Sequence, residues 1–309
     1  MKITENYSED SDAVIHFGDS YLFNETLPKE KFRLIITSPP YNLGKEYESR
    51  ITKEKYIATQ KKMIEQCADL LHETGSICWQ VGNFVDNGEI IPIDYLIFSI
   101  FSDLKFKLRN RIIWHFGHGL HSSKRFSGRY EVILWFTKSD KYFFNLDPIR
   151  VPQKYPQKKH FKGPHKGELS GNPLGKNPSD VWEIPNVKSN HIEKTIHPCQ
   201  FPIELIERFV LSMTEEGDWV YDPYMGVGST PIAALIHGRK GMGSEIHRPY
   251  YDVALERIKA ANEGQLLIRP MNRPVFDPNQ DNYIPPRLIE IAKSQMQLLE
   301  TPPGYPPKE

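Results

Sequence analysis

The chain has little of several features that would place it in a special class of protein. It contains only three cysteines and no C-x-x-C pair, which argues against a disulfide framework or zinc site and indicates free thiols in a cytoplasmic protein. Its longest apolar run, residues 90–101, is too short to cross a bilayer and contains Asp94. The opening residues MKITENYSED lack the apolar region of a secretory signal. Net charge is also absent, since 39 Lys and Arg balance 39 Asp and Glu, which argues against a wholly basic DNA-coating protein but not against a local basic patch.

What the chain does contain is core-forming material arranged in alternating patterns. Its length of 309 residues suggests about two domains or one large α/β domain with an insertion, and 39% of its residues are hydrophobic, which is ample for a core. Short β-branched or aromatic runs alternate with longer helical patterns, which predicts βαβ units around a mostly parallel sheet. A hairpin is predicted from residues 131–137 and 141–145. The other predicted strands are residues 13–17, 33–37, 76–81, 111–114, 218–222 and 240–245, and the predicted helices are residues 53–72, 91–104, 202–213, 230–238 and 250–262.

Two segments depart from this alternation. From Arg150 the chain carries seven Lys and Arg and one acid, Glu168, within 27 residues, is broken by prolines and glycines, and shows no apolar period. This predicts an irregular basic insertion. After Gly264 nine prolines follow, with one predicted helix at residues 287–300, which indicates an extension that packs on the surface or stays mobile. The basic residues are Arg150, Lys154, Lys158, Lys159, Lys162, Lys166 and Lys176.

The first candidate for chemistry is the sequence TSPPY, directly after the predicted strand 33–37. Pro39 and Pro40 cannot continue a strand ladder, because proline lacks the N–H and has a fixed φ. They present rigid carbonyls beside the Ser38 hydroxyl and the Tyr41 ring at the carboxyl edge of the sheet, where open α/β folds bind ligands. Accepting both hydrogens of a nucleobase amino group at the Ser38 and Pro39 oxygens favours a pyramidal nitrogen whose lone pair can attack. Tyr41 can stack on the base.

The second candidate is DPYMGVGST, residues 222–230, between a predicted strand and a predicted helix. Its glycines allow a ligand to approach the backbone, and a helix N-terminus favours a carboxylate or a phosphate. No Lys precedes the Ser-Thr pair, so it is not a P-loop, and Pro231 replaces the last glycine of a dinucleotide fingerprint. Glu245 lies 23 residues after Asp222 at the end of the next strand, as expected of a carboxylate that holds ribose hydroxyls.

These motifs resemble those of the β-group DNA amino-methyltransferases, which use S-adenosylmethionine. TSPPY is similar to the catalytic motif, and DPYMGVGST to the cofactor motif, with Tyr224 in place of the usual Phe. The catalytic motif comes first, which is the circular permutation that defines the group. The resemblance covers about residues 13–262. Further matching stretches are HFGD at residues 16–19, GRYEVILWFTK at 128–138, NPSDVWEIP at 177–185 and HPCQFP at 197–202.

The resemblance implies a doubly wound, mostly parallel sheet of seven strands, a Rossmann-like methyltransferase fold in permuted order with a small target-recognition insertion. It implies S-adenosyl-L-methionine as cofactor and no metal. The catalytic residues implied are Ser38, Pro39, Pro40 and Tyr41. The implied cofactor-binding residues are Asp19, His197, Pro198, Asp222, Pro223, Tyr224, Gly226, Gly228, Ser229, Thr230 and Glu245.

In this interpretation the chain divides into four segments. Residues 1–149 and 196–263 form the catalytic and cofactor halves, 150–195 the target-recognition insertion, and 264–309 the Pro-rich extension. The partner implied is double-stranded DNA, whose phosphates the seven cations of the insertion would contact. Because the target amine lies inside the duplex, the nucleotide must rotate out. A separate restriction endonuclease is compatible with the resemblance but cannot be read from this chain.

Several alternatives stay open. Ser at the first catalytic position resembles the N4-cytosine subset, whereas N6-adenine enzymes more often carry Asp; both groups can accept an amine hydrogen, so N4-cytosine is favoured and N6-adenine is the alternative. A non-catalytic DNA-binding module and an RNA methyltransferase are remoter ones. Pro198-Cys199-Gln200 matches the nucleophile tripeptide of cytosine-C5 enzymes but does not follow the catalytic strand. His115, His118 and His121 have metal-like spacing but lack a nearby Cys or carboxylate.

Overall fold

The computed structural model describes residues 1–41, 51–86, 88–117, 119 and 121–273. Within these ranges, residues 1–273 form one compact unit built on a sheet of nine strands, with a separate two-stranded ribbon. The strands of the sheet are β1 Ile3–Thr4, β2 Ala13–Phe17, β3 Phe32–Thr37, β4 Leu71–Val81, β7 Lys107–His115, β8 Tyr130–Thr137, β9 Val181–Glu183, β10 Trp219–Asp222 and β11 Lys240–Glu245; the ribbon strands are β5 Asn83–Asp86 and β6 Glu89–Pro92.

The order of the strands is β1-β2-β11-β10-β3-β4-β8-β7-β9, and all neighbours are parallel except those of β8, which runs antiparallel between β4 and β7. The sheet is therefore mostly parallel, as predicted, but the predicted number of seven strands is wrong. The difference lies at the two edges, where β1 has two residues and β9 three. Strands this short carry no periodicity that a sequence pattern can detect.

Helices cover both faces of the sheet, which confirms the doubly wound α/β fold. One buried cluster of apolar side chains lies under α1, α2 and α3, and the other lies under α4, α5 and α6. Strand β3 supplies both clusters, since Leu34 and Ile36 belong to one and Phe32 and Ile35 to the other. The helices are α1 Ser20–Asn24, α2 Lys53–Leu70, α3 Ile93–Asp103, α4 Ile203–Met213, α5 Ser229–Ile236 and α6 Arg248–Asn262.

The adjacent strands β3 and β10 mark the switch point of this topology. After β3 the chain passes through α2 to β4 on one side, and after β10 it passes through α5 to β11 on the other. The register pairs Val220 with Leu34 and Tyr221 with Ile35, so the two strands end side by side. In open α/β sheets such a point opens a crevice at the carboxyl edge. The two candidate motifs follow directly after these two strands.

The predicted hairpin of residues 131–137 and 141–145 is wrong in its second half. The antiparallel partners of β8 are β4 and β7, and residues 141–145 form no strand. Their aromatic alternation has another cause: the rings of Tyr142 and Phe144 pack against Trp135, with centroids 5.5 and 5.3 Å away. The alternation in residues 141–145, which predicts a strand, therefore reflects the packing of two aromatic rings in an irregular segment.

The insertion and the start of the extension are irregular but ordered by specific contacts. Residues 150–180 contain two isolated bridges, Val151 with Lys176 and Lys159 with Leu169. Residues 264–273 pack on the domain, where the Arg269 backbone N–H donates to Glu193 at 3.1 Å and its guanidinium pairs with Glu204. The predicted helix at 287–300 lies outside the described residues. Among the described helices, none is both long and apolar enough to cross a bilayer.

Candidate active site

Asp222 links the ends of the two central strands. Its carboxylate accepts hydrogen bonds from the Thr37 hydroxyl at 2.6 Å, the Thr230 hydroxyl at 2.7 Å and the Tyr224 backbone N–H at 3.0 Å. Thr37 directly precedes the SPPY sequence, so one side chain connects the two candidate motifs. The Asp222 side chain is only 2% exposed, and this burial raises its pKa to about 6 in spite of the three donors.

The turn after β10 has a left-handed backbone conformation at two of its glycines. Gly226 has φ +54° and Gly228 has φ +80°, both in the left-handed region that favours glycine. A Cβ added to Gly226 would lie 3.3 Å from Nε2 of His197. The HPCQFP sequence therefore packs on the glycine turn, and the His197 ring makes an edge contact with the Tyr250 ring, with centroids 4.5 Å apart.

Replacing Gly226 by alanine is expected to shift the turn, because the left-handed conformation costs about 1–2 kcal/mol with a Cβ and the new methyl group presses on His197. The resemblance implies that this turn binds S-adenosylmethionine, and on that interpretation the shift should weaken binding about tenfold. The measurement is titration calorimetry with the purified protein. Gly238→Ala is the matched control, since Gly238 has φ +72° but lies beyond α5, where the nearest atom to its added Cβ is 3.6 Å away. Equal cofactor affinities of the two variants would contradict a cofactor role for this turn.

On the other side of the turn, β2 and β11 bring two acidic side chains to the same edge of the sheet. The register pairs Glu245 with Phe17, and the Gly18 N–H donates to the Glu245 carbonyl at 3.0 Å. The Glu245 carboxylate accepts from the His247 N–H at 2.7 Å and is 9% exposed; burial raises its pKa. Asp19 caps α1 by accepting from the Tyr21 N–H at 2.7 Å.

The SPPY corner is connected to the antiparallel part of the sheet. The hydroxyls of Ser38 and Tyr41 lie 3.1 Å apart, and the Tyr41 hydroxyl donates to Oε1 of Gln80 at 2.5 Å. The Gln80 amide in turn donates to Oε2 of Glu131. Gln80 is on β4 and Glu131 on β8. Burial, reinforced by the nearby Glu131, raises the Tyr41 pKa well above its ordinary value, so the hydroxyl stays protonated and able to donate.

Tyr224 lies on the side of this corner that faces the glycine turn after β10. Its hydroxyl donates to that of Tyr21 at 3.3 Å, and its ring packs against the apolar cluster under α1 to α3. Burial raises its pKa as well. The ring lies in the wall of the cavity described next.

One cavity of about 790 Å³ brings the two candidate motifs together. Gly228 and Thr230 do not line it: Gly228 is the N-cap of α5, and the Thr230 hydroxyl donates a hydrogen bond to the Asp222 carboxylate. The predicted site residues that do line it are Asp19, Ser38, Pro39, Pro40, Tyr41, His197, Pro198, Asp222, Pro223, Tyr224, Gly226, Ser229 and Glu245.

The seven cations of the insertion do not line the cavity. Arg150 is held internally, by Asp147 at 2.7 Å and by the Gly175 carbonyl at 3.1 Å, so it orders the insertion. The other six are exposed: Lys154, Lys158, Lys159, Lys162, Lys166 and Lys176.

Sequence reasoning missed several residues of the cavity wall. Gln80 and Glu131 carry no motif of their own, and only the pairing of β4 with β8 brings them to the SPPY corner. Arg125 and the fully exposed Phe126 also line the cavity. The signal that could have found them is an aromatic residue next to two cations, Lys124 and Arg125. Of the histidine cluster, His118 lies outside the described residues, and the part of the chain that is described contains no group of three side chains able to hold a metal.

Comparison with known proteins identifies the family. The family model described as DNA methylase, for N6 and N4 methyltransferases, matches residues 32–256. The type II methyltransferase M.BglII of Bacillus subtilis is 51% identical over 243 residues, which are 78% of this chain and 68% of that protein. The chain belongs to the DNA methylase family. This confirms the N4-cytosine/N6-adenine group of DNA amino-methyltransferases predicted from the sequence.

Solved structures agree with the fold of this methylase. The PvuII DNA methyltransferase, described as cytosine-N4-specific, superposes with a TM-score of 0.64 at 20% identity, over 83% of this chain and 93% of its own. A DNA modification methylase of Thermus thermophilus, complexed with S-adenosyl-L-methionine, superposes with a TM-score of 0.57 at 25% identity, over 81% and 95% of the two chains. The molecule bound there is the cofactor predicted for this methylase.

Proposed function

We propose that this methylase transfers a methyl group from S-adenosyl-L-methionine to the exocyclic amino group of a base rotated out of duplex DNA, and that the base is cytosine, modified at N4. The observation that carries the proposal is the single cavity lined by both motifs, joined through the hydrogen bond from Thr37 to Asp222. Methyl transfer needs the amine and the methyl donor in one space, in line and in contact.

The residues of the cavity fit the proposed cofactor. Asp222 has used three of about four acceptor positions of its carboxylate, which leaves one for the ammonium group of the methionine end. The glycine turn leaves room that a Cβ at Gly226 would fill. Glu245 and Asp19 supply acceptors for the ribose and the adenine. When bound, the cofactor supplies a methyl group made electrophilic by a positive sulfur.

The other end of the cavity suits an extruded base. The Ser38 and Pro39 oxygens accept the amine hydrogens, and the Tyr41 ring covers the base. The nitrogen lone pair forms the new N–C bond, the C–S bond breaks with its electron pair left on sulfur, and one N–H proton is released to water. No side chain has to become covalently attached, so Cys199 is not required although it lines the same cavity.

The choice of cytosine rests on Ser38. A hydroxyl at this position is typical of the N4-cytosine subset, and the network around Tyr41 leaves this hydroxyl within reach of the cavity. N6-adenine is the alternative, since its amine presents the same two donor hydrogens.

Product analysis tests the proposal directly. Unmethylated DNA is incubated with the protein and S-adenosylmethionine, digested to nucleosides and analysed by mass. We expect N4-methylcytosine; N6-methyladenine would establish the alternative base. 5-Methylcytosine would refute the amine mechanism and point to Cys199, and a methylated product from RNA alone would refute DNA as substrate. Absence of any product, with DNA binding retained, would indicate a non-catalytic module.

We further propose that the basic insertion contacts DNA phosphates. Lys158 and Lys159 are exposed, and bonds from the Lys158 N–H to the Tyr155 carbonyl and from the Ser170 N–H to the Lys158 carbonyl hold their backbone. Reversing both charges to Glu is expected to weaken DNA affinity at least tenfold and to lower the salt dependence of binding, because each lost phosphate contact reduces the slope by about one. Fluorescence anisotropy over a range of salt concentrations measures both quantities.

The matched control reverses two exposed lysines outside the insertion, Lys29 and Lys259. It changes the net charge equally but should leave the salt slope closer to that of the unmodified protein. Cofactor affinity should be unaffected in both double variants. If both lost the same DNA affinity, the insertion would have no special role.

A further inference from the structure

The four polar side chains at the SPPY corner form a chain of hydrogen bonds with a direction. Glu131 lies at one end, followed by Gln80 and Tyr41, and Ser38 lies at the cavity end. Gln80 is 1% exposed, so its amide depends on these partners for its hydrogen bonds. The chain runs from β8 across β4 to the corner that follows β3.

The chemistry of the remote end fixes the direction. A carboxylate can only accept, so Gln80 must turn its NH₂ group toward Glu131 and its carbonyl oxygen toward Tyr41. Tyr41 has one hydrogen, which it donates to that oxygen at 2.5 Å. The 3.1 Å contact of the two hydroxyls must then be donated by Ser38. The Ser38 hydrogen is thereby occupied, and its lone pairs are left for the cavity.

We infer that Gln80 and Glu131 are positioning residues that make Ser38 an obligatory acceptor, and that they thereby select a base with an amino group over one with a carbonyl at the same position. The inference rests on the proposed function, in which Ser38 meets the exocyclic amine. Without the direction set by Glu131, a serine hydroxyl could as well donate. It would then accept uracil in place of cytosine, or hypoxanthine in place of adenine.

The preference for a base with an amino group over one with a carbonyl can be measured as a difference in binding affinity, without methyl transfer. The methylation site is first mapped by sequencing methylated DNA. Duplexes that carry this site are then prepared with either dC or dU at the target, each opposite an abasic position so that neither is base-paired. Their affinities are measured by anisotropy in the presence of S-adenosylhomocysteine, which holds the complex but donates no methyl group. If product analysis identifies adenine, dA and deoxyinosine replace dC and dU.

The variants at Gln80 form a matched pair. In Gln80→Glu the new carboxyl shares one proton with Glu131, still accepts from Tyr41 and keeps the direction, whereas Gln80→Lys can only donate and reverses it. For the unmodified protein and Gln80→Glu we expect dC to bind at least about tenfold more tightly than dU, the loss that follows from one mismatched buried polar contact. For Gln80→Lys we expect the preference to disappear or to reverse, with cofactor affinity retained.

Two further variants keep the inference testable if the lysine variant fails to fold. Tyr41→Phe cuts the chain while keeping the ring, and Glu131→Gln removes the acceptor-only end; both should bring the dC and dU affinities closer together. Unchanged ratios in a variant that still binds cofactor and DNA would overturn the inference. The proposed function fails separately, through the absence of an amino-methylated nucleoside with the unmodified protein.

Discussion

Replacing Ser38 by alanine is expected to lower the rate of methyl transfer about 100-fold or more, with cofactor affinity and thermal stability close to those of the unmodified protein. The hydroxyl lies in the cavity wall and is partly buried, so removing it leaves little empty volume in the core. It does remove the group that accepts an amine hydrogen as the nitrogen becomes pyramidal. The effect should therefore appear in the single-turnover rate constant of methyl transfer, and far less in the affinity for the cofactor.

Ser38→Asp provides the rescue test. A carboxylate at this position can accept the amine hydrogen, so this variant should transfer methyl groups faster than Ser38→Ala. Single-turnover rates with labelled cofactor separate the chemical step from product release. An alanine variant as fast as the unmodified protein would remove Ser38 from the proposed mechanism.

The closeness of the two candidate motifs could be predicted because each lies directly after a strand of the parallel core. The patterns of residues 33–37 and 218–222 predict strands, and each is followed by its motif. Parallel strands end at the same edge of the sheet, so the two motifs were expected to be close. The structure places β3 next to β10 and joins them through Thr37 and Asp222. The prediction needed the family resemblance for strand order, which periodicity does not provide.

The parts that sequence reasoning missed depend on register between strands distant in the chain. Gln80 and Glu131 meet because Val81 pairs with Val132 and Gln80 with Ile133, a register that no local pattern encodes. The short edge strands β1 and β9 were missed for a different reason: two or three residues are too few to show a periodic pattern. The alternation at residues 141–145 was misleading because aromatic rings packed on Trp135 produce the same pattern as a strand.

Replacing Asp222 by asparagine is expected to make the cofactor-free protein more stable near neutral pH while weakening cofactor binding. The folded-state pKa of Asp222 is about 6, above its ordinary value of 3.8. Between these values the folded protein holds a proton that the unfolded chain has lost. The stability contributed by this group is therefore fully present below pH 3.8 and is lost as the pH rises through 6. A shift of about two units corresponds to about 3 kcal/mol at neutral pH, which an uncharged amide would recover in large part.

Urea unfolding without cofactor measures this effect. The gain of Asp222→Asn over the unmodified protein should be largest near pH 8 and should shrink as the pH falls toward about 4, where Asp222 itself is protonated. Asp218→Asn is the control, because Asp218 precedes β10 at the opposite end from the cavity, with its carboxylate 3.2 Å from Arg33. A variant at Asp222 that is less stable than the unmodified protein near pH 8 would contradict the assigned burial cost.

Cofactor affinity should change in the opposite sense. A cationic ammonium group at the open acceptor position favours ionised Asp222, so affinity should be highest above pH 6 and should fall as the pH drops through that value. Loss of one charge-assisted hydrogen bond predicts binding about 10- to 100-fold weaker for Asp222→Asn, with little dependence on pH in this range. Calorimetric titrations of both proteins at several pH values provide the comparison. If affinity of the unmodified protein were flat across pH 6 while Asp222→Asn bound equally well, Asp222 would only join the strands, and the ammonium group would have to bind elsewhere in the cavity.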